Sequence, residues 1–400
     1  MTLPLRGIRV IELGSWVFVP SAAAVLAEWG ANVIKVENPQ GGDPMRGMIV
    51  RDRRGRPRTD GMDRMNHNKR SLGLDVKHPR GRQVLLDLCR NADVFMTSWL
   101  PAARQRAGVD LADIRSANPS IIYARGSGYG PNGPEAEKGA VEATAYWARS
   151  GAAHYYSQPP EKVMAPIIAP SAGDLVAGQT LAGGIAAALV QRERTGEASV
   201  VDVSLFGEGI YGMSGEISRR QILGEPPEPI TRENTPNPIL NHYRTADGRV
   251  IQLGFTQLGY WAKVMTAIGR GDLATDPRFA DPAALHANRV EAIASLDKEF
   301  ASRTCAEWVE NLSVFDRGWE VVQKGIEVCD DPQVTANDYI AYLDRSGELT
   351  PIVRNPVQFD ESVPEIHRAP EAGEQTDEIL GELGLGWNAI VDLKVTGAVL

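Results

Sequence analysis

Asp174 is the only charged residue among the twenty from Pro170 to Leu189, "PSAGDLVAGQTLAGGIAAAL". A lone carboxylate at the entrance of a small and apolar helical pattern can do two things. As an N-cap it accepts backbone N–H bonds that the first turn leaves unmade, worth about 1 kcal/mol. Held ionised by the positive end of the helix, it is also a competent acyl acceptor for covalent catalysis. Spacing alone leaves both roles open.

Other chemistries find less in the chain. The six histidines, at 67, 78, 154, 242, 286 and 367, contain no i, i+4 pair and no H-E-x-x-H. Cys89, Cys305 and Cys329 form no C-x-x-C pair, so neither a metal site nor a disulfide framework is expected, and a reducing cytoplasm is the expected compartment. No G-x-S-x-G element marks a serine nucleophile. Glu37, closing a second strand, stands where a dinucleotide-binding unit places its ribose-binding acid. Gly14, however, is followed by Ser-Trp-Val-Phe-Val-Pro instead of further glycines. A literal G-x-G-x-x-G runs from Gly128 to Gly133, but Pro131 and Pro134 keep it from opening a helix. As a rigid loop after a strand it is suited to lining a site.

The elements that must position these residues read as alternating strands and helices. "IRVIEL", the helical "SAAAVLAEWG" and "NVIKVEN" make a βαβ unit. Further βα pairs follow through a helix at 79–91, "DVFMTSW", a helix at 110–117, "SIIYARGS" and "ASVVDVSLF", which predicts a doubly wound parallel sheet. The charged "RDRRGRPR" at 51–58 reads as a solvated loop. Five prolines in "GEPPEPITRENTPNP" at 224–238 mark a linker, and "HYRTADGRVIQLGF" beyond it signals a hairpin leading into helices. The expected fold is α/β: a Rossmann-like large domain from residues 1–225 and 321–400, with a small α+β domain at 226–320.

With 42 Lys and Arg against 51 Asp and Glu, the net charge of −9 argues against a protein that reads nucleic-acid phosphates by bulk charge. The most apolar run, 181–190, is about half of what a bilayer span requires, so no membrane partner is expected.

Four segments taken together resemble the class III CoA-transferases: the N-terminal stretch through "GANVIKVE", "NKRSLGLDVK", "GSGYGPNGP" and "AGDLVAGQTLAGG". The resemblance covers nearly the whole chain. It implies that Asp174 attacks an acyl-CoA thioester and carries the acyl group and then CoA as covalent intermediates. It also implies an interlocked homodimer in which Ala- and Gly-rich faces around Gly178, Gly183 and Gly184 allow close packing. Carried over residue by residue, it places Ser15, Trp16 and Val17 against the pantetheine and thioester of coenzyme A. Leu74 and Lys77 fall at the nucleotide end, and Asp75 between them suits a turn or the site equally. Arg106 falls by the adenosine phosphates and Lys138 by the pyrophosphate.

Glu142 matches an acidic position beside the nucleophile, suited to orienting or protonating a leaving carboxylate. Val17 replaces the glutamine of the formyl-CoA transferases, and their glycine-rich lid is absent from "GFTQLG", which argues against formate and oxalate. "AYWARSG" brings Tyr146, Trp147 and Arg149 toward the site, where an aromatic and cationic set suits a larger acid and a packed helix face with Trp147 in the core is the equal alternative. The α-methylacyl-CoA racemases of the same fold place a histidine where this chain has Val141, so α-proton exchange lacks one base, with His154 the nearest substitute. A non-catalytic CoA-binding protein is the alternative from another class, and the intact Asp174 argues against it.

Overall fold

The computed structural model describes residues 3–51, 55, 57–58, 60–156, 170–224, 231–345 and 347–400. Residues 225–230 of the Pro-rich linker, and 52–54 and 56 of the basic stretch, lie outside the described residues. The chain divides into two compact units. The first holds the described residues of Met1–Tyr156, Ala165–Arg219 and Thr335–Leu400, and the second those of Arg220–Val334.

The first unit is built on a parallel sheet. Its strands are β1 (Arg9–Leu13), β2 (Asn32–Glu37), β5 (Arg70–Gly73), β6 (Val94–Thr97), β7 (Ile122–Ser127) and β8 (Val200–Ser204). A short antiparallel pair, β3 (Val50–Arg51) and β4 (Pro57–Arg58), interrupts the series where a plain loop is expected. The spatial order is β5-β2-β1-β6-β7-β8, every neighbouring pair parallel. The chain therefore winds outward in both directions from β1 and β6, and the crevice beyond the carboxyl ends of those two strands is the switch point where such sheets bind ligands.

Helices cover both faces: α1 (Phe18–Glu28), α2 (Asp60–Asn66), α3 (Pro79–Arg90), α4 (Pro101–Ala107), α5 (Leu111–Ala117), α6 (Ala152–Tyr156), α7 (Ala172–Thr195) and α8 (Leu205–Gly212). Val10, Val33, Val94 and Ile122 pack on one face with α1 and α7. Ile11, Ile34, Phe95 and Tyr123 pack on the other with α3, α5 and the C-terminal helices Thr376–Glu382 and Trp387–Val395. This two-sided burial explains why the strands read as continuous apolar runs.

At 24 residues α7 is long and apolar enough to cross a bilayer, beyond what the run at 181–190 alone suggests. It serves as a core helix, and Gly178 lets it approach α1 closely: a Cβ there would stand 2.1 Å from Ser21 Oγ. Gly184 faces Val201 of β8, while Gly183 meets nothing within 4 Å. Two of the three small residues expected to serve a dimer thus pack within the chain.

The second unit carries a three-stranded antiparallel sheet, β11-β10-β9, of β9 (Leu240–Arg244), β10 (Val250–Gly254) and β11 (Trp319–Val321). Helices built around Trp261, Leu296, Phe300 and Trp308 cover it. In the first unit a hairpin of β12 (Ile340–Arg345) and β13 (Glu348–Val353) precedes the C-terminal helices.

Candidate active site

Beyond the carboxyl ends of β1, β6, β7 and β8 lies a 420 Å³ cavity. Ser15, Trp16 and Val17 of the β1–α1 turn line it, as do Glu142 and Asp174. Gly128, Gly130 and Pro131 of the glycine loop also line it, so that loop serves a site without being a phosphate-binding fingerprint. A smaller cavity of 120 Å³ at the ends of β1, β2 and β5 is lined by Leu74, Asp75 and Lys77 and shares Ser15 and Trp99 with the first. Asp75 does both things left open for it: its carboxylate accepts from Lys77 N–H at 2.9 Å, and it lines this cavity.

Asp174 is the third residue of α7 and not its N-cap. Ser171 is the N-cap, left-handed at φ 68°, and its side chain makes no capping bond. The cap comes from Glu142: its carboxylate accepts from Ser171 N–H at 2.8 Å and from Gly173 N–H at 2.5 Å, and from Trp147 Nε1 at 3.2 Å. A residue expected to act on a leaving carboxylate is thus committed to holding the first turn of α7. Gly173 is required there, since a Cβ would stand 2.5 Å from Tyr146 Cγ.

For the same reason the helix end does not hold Asp174 in the ordinary carboxylate range. The Ser171 and Gly173 N–H groups at that end are engaged by Glu142, which sets a second negative charge beside Asp174. Burial, and then the charge of Glu142, push the Asp174 carboxyl up to about 7.

The β1–α1 turn is held by a parallel device. Trp16 is left-handed at φ 70° yet half exposed, and its N–H donates to Asp43 Oδ1 at 3.2 Å. Asp43 lies 2.8 Å from Lys35 Nζ, which also donates to Glu12 Oε1 at 2.9 Å and to the Gly14 carbonyl at 3.1 Å. Glu12 in turn takes Lys69 Nζ at 2.7 Å. All four of these charged side chains are fully enclosed. Burial alone would lower Lys35, but the charges of Glu12 and Asp43 hold it above its ordinary range, while burial pushes Lys69 down to about 8. Such a network costs desolvation, and here it fixes the left-handed turn at Trp16 that faces the cavity. Sequence reading missed Asp43, Lys35 and Glu12 as positioning residues. The signal was present: a Glu and a Lys of opposite charge sit directly in register on two buried strands.

Glu37 belongs to the scaffold. Arg46 grips it through two bonds of 2.8 and 2.6 Å, and Ser71 Oγ donates to it at 2.7 Å, so both oxygens are occupied and no ribose-binding carboxylate stands free.

Arg106 on α4 and Lys138 are exposed and line neither cavity. Lys138 stands 3.6 Å from Glu135 and 5.1 Å from the Tyr129 ring centroid. Arg104, two residues earlier on α4, is the buried cation that lines the larger cavity. Tyr146, Trp147 and Arg149, expected at the acid pocket, do not line it. They lie on a π-helical turn, Ala143–Arg149, where Tyr146 backs Gly173, Trp147 secures Glu142 and Arg149 pairs with Glu135 at 2.8 Å. His154 is exposed and away from both cavities, and Val141 lines the larger one.

A family model described as CoA-transferase family III matches residues 5–376. The chain is 34% identical over 399 residues to the (R)-2-hydroxy-4-methylpentanoate CoA-transferase of Clostridioides difficile, with 98% of each chain covered. It is 31% identical over 397 residues to the cinnamoyl-CoA:phenyllactate CoA-transferase of Clostridium sporogenes, covering 97% of this chain and 95% of the relative. A crystal structure of Rv3272 from Mycobacterium tuberculosis matches with a TM-score of 0.81 at 29% identity, covering 94% of this chain and 98% of that one.

Proposed function

The chain belongs to CoA-transferase family III and is an enzyme of that family, and on that premise we propose that it moves CoA between an acyl-CoA and a carboxylic acid through covalent intermediates on Asp174. The observation that carries this reading is a half-buried carboxylate, raised to about 7, on the first turn of α7 at the larger cavity. Partly stripped of water, such a carboxylate is a stronger nucleophile once ionised than one in bulk solvent.

In the proposed reaction an Asp174 oxygen attacks the thioester carbonyl and the C–S bond breaks, giving a mixed anhydride and the CoA thiolate. The thiolate attacks the aspartyl carbonyl, the anhydride C–O bond breaks, and the first acid leaves as its carboxylate. The acceptor carboxylate then attacks the aspartyl-CoA thioester and releases the thiolate again. Attack of that thiolate on the acceptor carbonyl gives the new acyl-CoA and restores Asp174. No proton is gained or lost over the cycle, so no separate general acid is needed. Glu142 acts as a positioning residue, and the N–H groups opening α1 and those of the glycine loop supply donors for the oxyanions.

Ser15, Trp16 and Val17 meet the thioester end of CoA, and Leu74 and Lys77 the nucleotide end in the smaller cavity. Arg106 and Lys138 meet the phosphates outside the two cavities. The acid is larger than formate or oxalate. Exposed apolar residues on α7 and α8, among them Val176, Val190 and Tyr211, support burial against a second copy in an interlocked homodimer, placed in the cytoplasm. Racemisation is disfavoured because no histidine lines either cavity.

Intact-protein mass spectrometry after incubation with short, branched and aromatic acyl-CoAs, trapped with hydroxylamine, tests the nucleophile. An adduct absent from Asp174→Ala is expected. No adduct, with deuterium entering the substrate α-carbon in heavy water, would replace this reading with racemisation.

A further inference from the structure

Arg125 on β7 and Asp202 on β8 are direct neighbours in the parallel register. They form a two-bond pair at 2.6 and 2.7 Å, and both line the cavity that holds Asp174. We propose that this pair is a specificity-determining element that hydrogen-bonds a neutral oxygen substituent, a hydroxyl or oxo group, on the chain of the substrate acid. The inference rests on the transferase reading above.

The donor and acceptor inventory points to that class. Asp202 engages Nε and Nη2 of Arg125, and among the described residues Nη1 has no partner. Each Asp202 oxygen takes one of these bonds and keeps a second lone-pair site. The side chains are 21% and 27% exposed, so these atoms are not sealed into the sheet. A hydroxyl placed there accepts from Arg125 and donates to Asp202, and an oxo group accepts from Arg125 alone.

Charge decides against an anion. The other guanidinium lining the cavity, Arg104, donates to Asp110 at 2.9 Å and to the Trp99 carbonyl at 2.6 Å. Each cation is therefore matched by its own carboxylate, and the four groups together carry no net charge. A phosphate or second carboxylate would have to approach Asp202 or Asp110 along with either guanidinium, whereas a neutral group meets no such repulsion.

Position decides which part of the substrate is met. Asp174 lies on the first turn of α7, whereas Arg125 and Asp202 lie on β7 and β8 of the same cavity. With the carboxyl end of the acid at Asp174, the pair is left to meet a substituent along its chain. Trp16, Val17, Phe18 and Leu205 leave apolar surface in the same cavity for hydrocarbon. A partly exposed ion pair between adjoining strands contributes little to stability, so it suits recognition better than folding.

The test compares hexanoate, 2-hydroxyhexanoate and 3-hydroxyhexanoate as acceptors, with one acyl-CoA that gives the covalent adduct as common donor. Wild type is expected to favour one hydroxy acid over hexanoate by about tenfold or more in kcat/KM. In Arg125→Gln/Asp202→Asn, and separately in Arg125→Lys, the ratio should fall to within about twofold while transfer to hexanoate persists. Equal loss on all three acids would overturn the proposal, because the pair would then serve the pantetheine arm of CoA or the packing of the strands. A wild type indifferent to the hydroxyl would overturn it too. If wild type transfers CoA to none of the acids and no adduct forms on Asp174, the transferase reading itself fails.

Discussion

The raised Asp174 carboxyl makes the pH dependence of transfer specific enough to fail. With a free-enzyme value of about 7, about 9% of Asp174 is ionised at pH 6, about 50% at pH 7 and about 91% at pH 8. Because attack requires the carboxylate, kcat/KM for the acyl-CoA should rise about tenfold from pH 6 to pH 8 and level off above. A carboxyl at its ordinary 3.8 would give a flat profile over the same range. The substrate acid is ionised throughout that range and adds no limb of its own. Glu142→Gln tests the physical cause. It removes the neighbouring charge while its amide oxygen can still accept from the end of α7. The acidic limb should then move to lower pH, stopping short of 3.8 because burial, the larger cause, remains. Initial rates of acyl-CoA formation followed by chromatography from pH 5.5 to 9 provide the assay. A flat profile in wild type would refute the raised Asp174 carboxyl, and a limb that stays in place in Glu142→Gln would refute Glu142 as a cause of it.

Other consequences follow from the same geometry. Gly173→Ala forces Tyr146 or the first turn of α7 to shift, and should cost about 1–3 kcal/mol in denaturant unfolding of the first unit along with most of kcat; unchanged turnover would mean that the turn adapts freely. Lys35→Met leaves Glu12 and Asp43 enclosed without their shared cation and should destabilise by about 3–5 kcal/mol, read as a lowered urea midpoint. Lys77→Ala and Arg106→Ala should each raise the KM for acyl-CoA, by a factor that shrinks as salt rises. An unchanged KM at low ionic strength would remove that residue from the phosphate site.

How much of this was legible beforehand depends on which physical signal each feature leaves. The strands of the parallel sheet and the helix at 79–90 are written in apolar runs and 3.6-residue periodicity, which a single segment carries by itself. β5 is only four residues, "RSLG", and belongs to the sheet solely because β2 accepts it as a neighbour. Asp174 stood out because its surroundings are uncharged, but its proton affinity did not. That property is set by Glu142, thirty-two residues earlier, and by the closure of a cavity from four strand ends. Glu142 itself was visible only as an acid matching a motif, and its service as the cap of α7 needed the left-handed turn at Ser171.

The charged residues inside the strands argue a more general point. Glu12 opposite Lys35, and Arg125 opposite Asp202, each place an ion pair across neighbouring parallel strands near their carboxyl ends. Each such pair in a sequence breaks an otherwise apolar run, and read one strand at a time it resembles an error of patterning. Once the strand order is known, the two pairs separate by environment. The first is fully enclosed, saturated with protein partners and tied to the Trp16 turn. The second is half exposed to the cavity, with donors left over. Enclosure and saturation mark a group that positions the chain, whereas residual hydrogen-bonding capacity beside a cavity marks one that meets a ligand. On that distinction Lys35 variants should lose stability, while Arg125 variants should lose discrimination among acids.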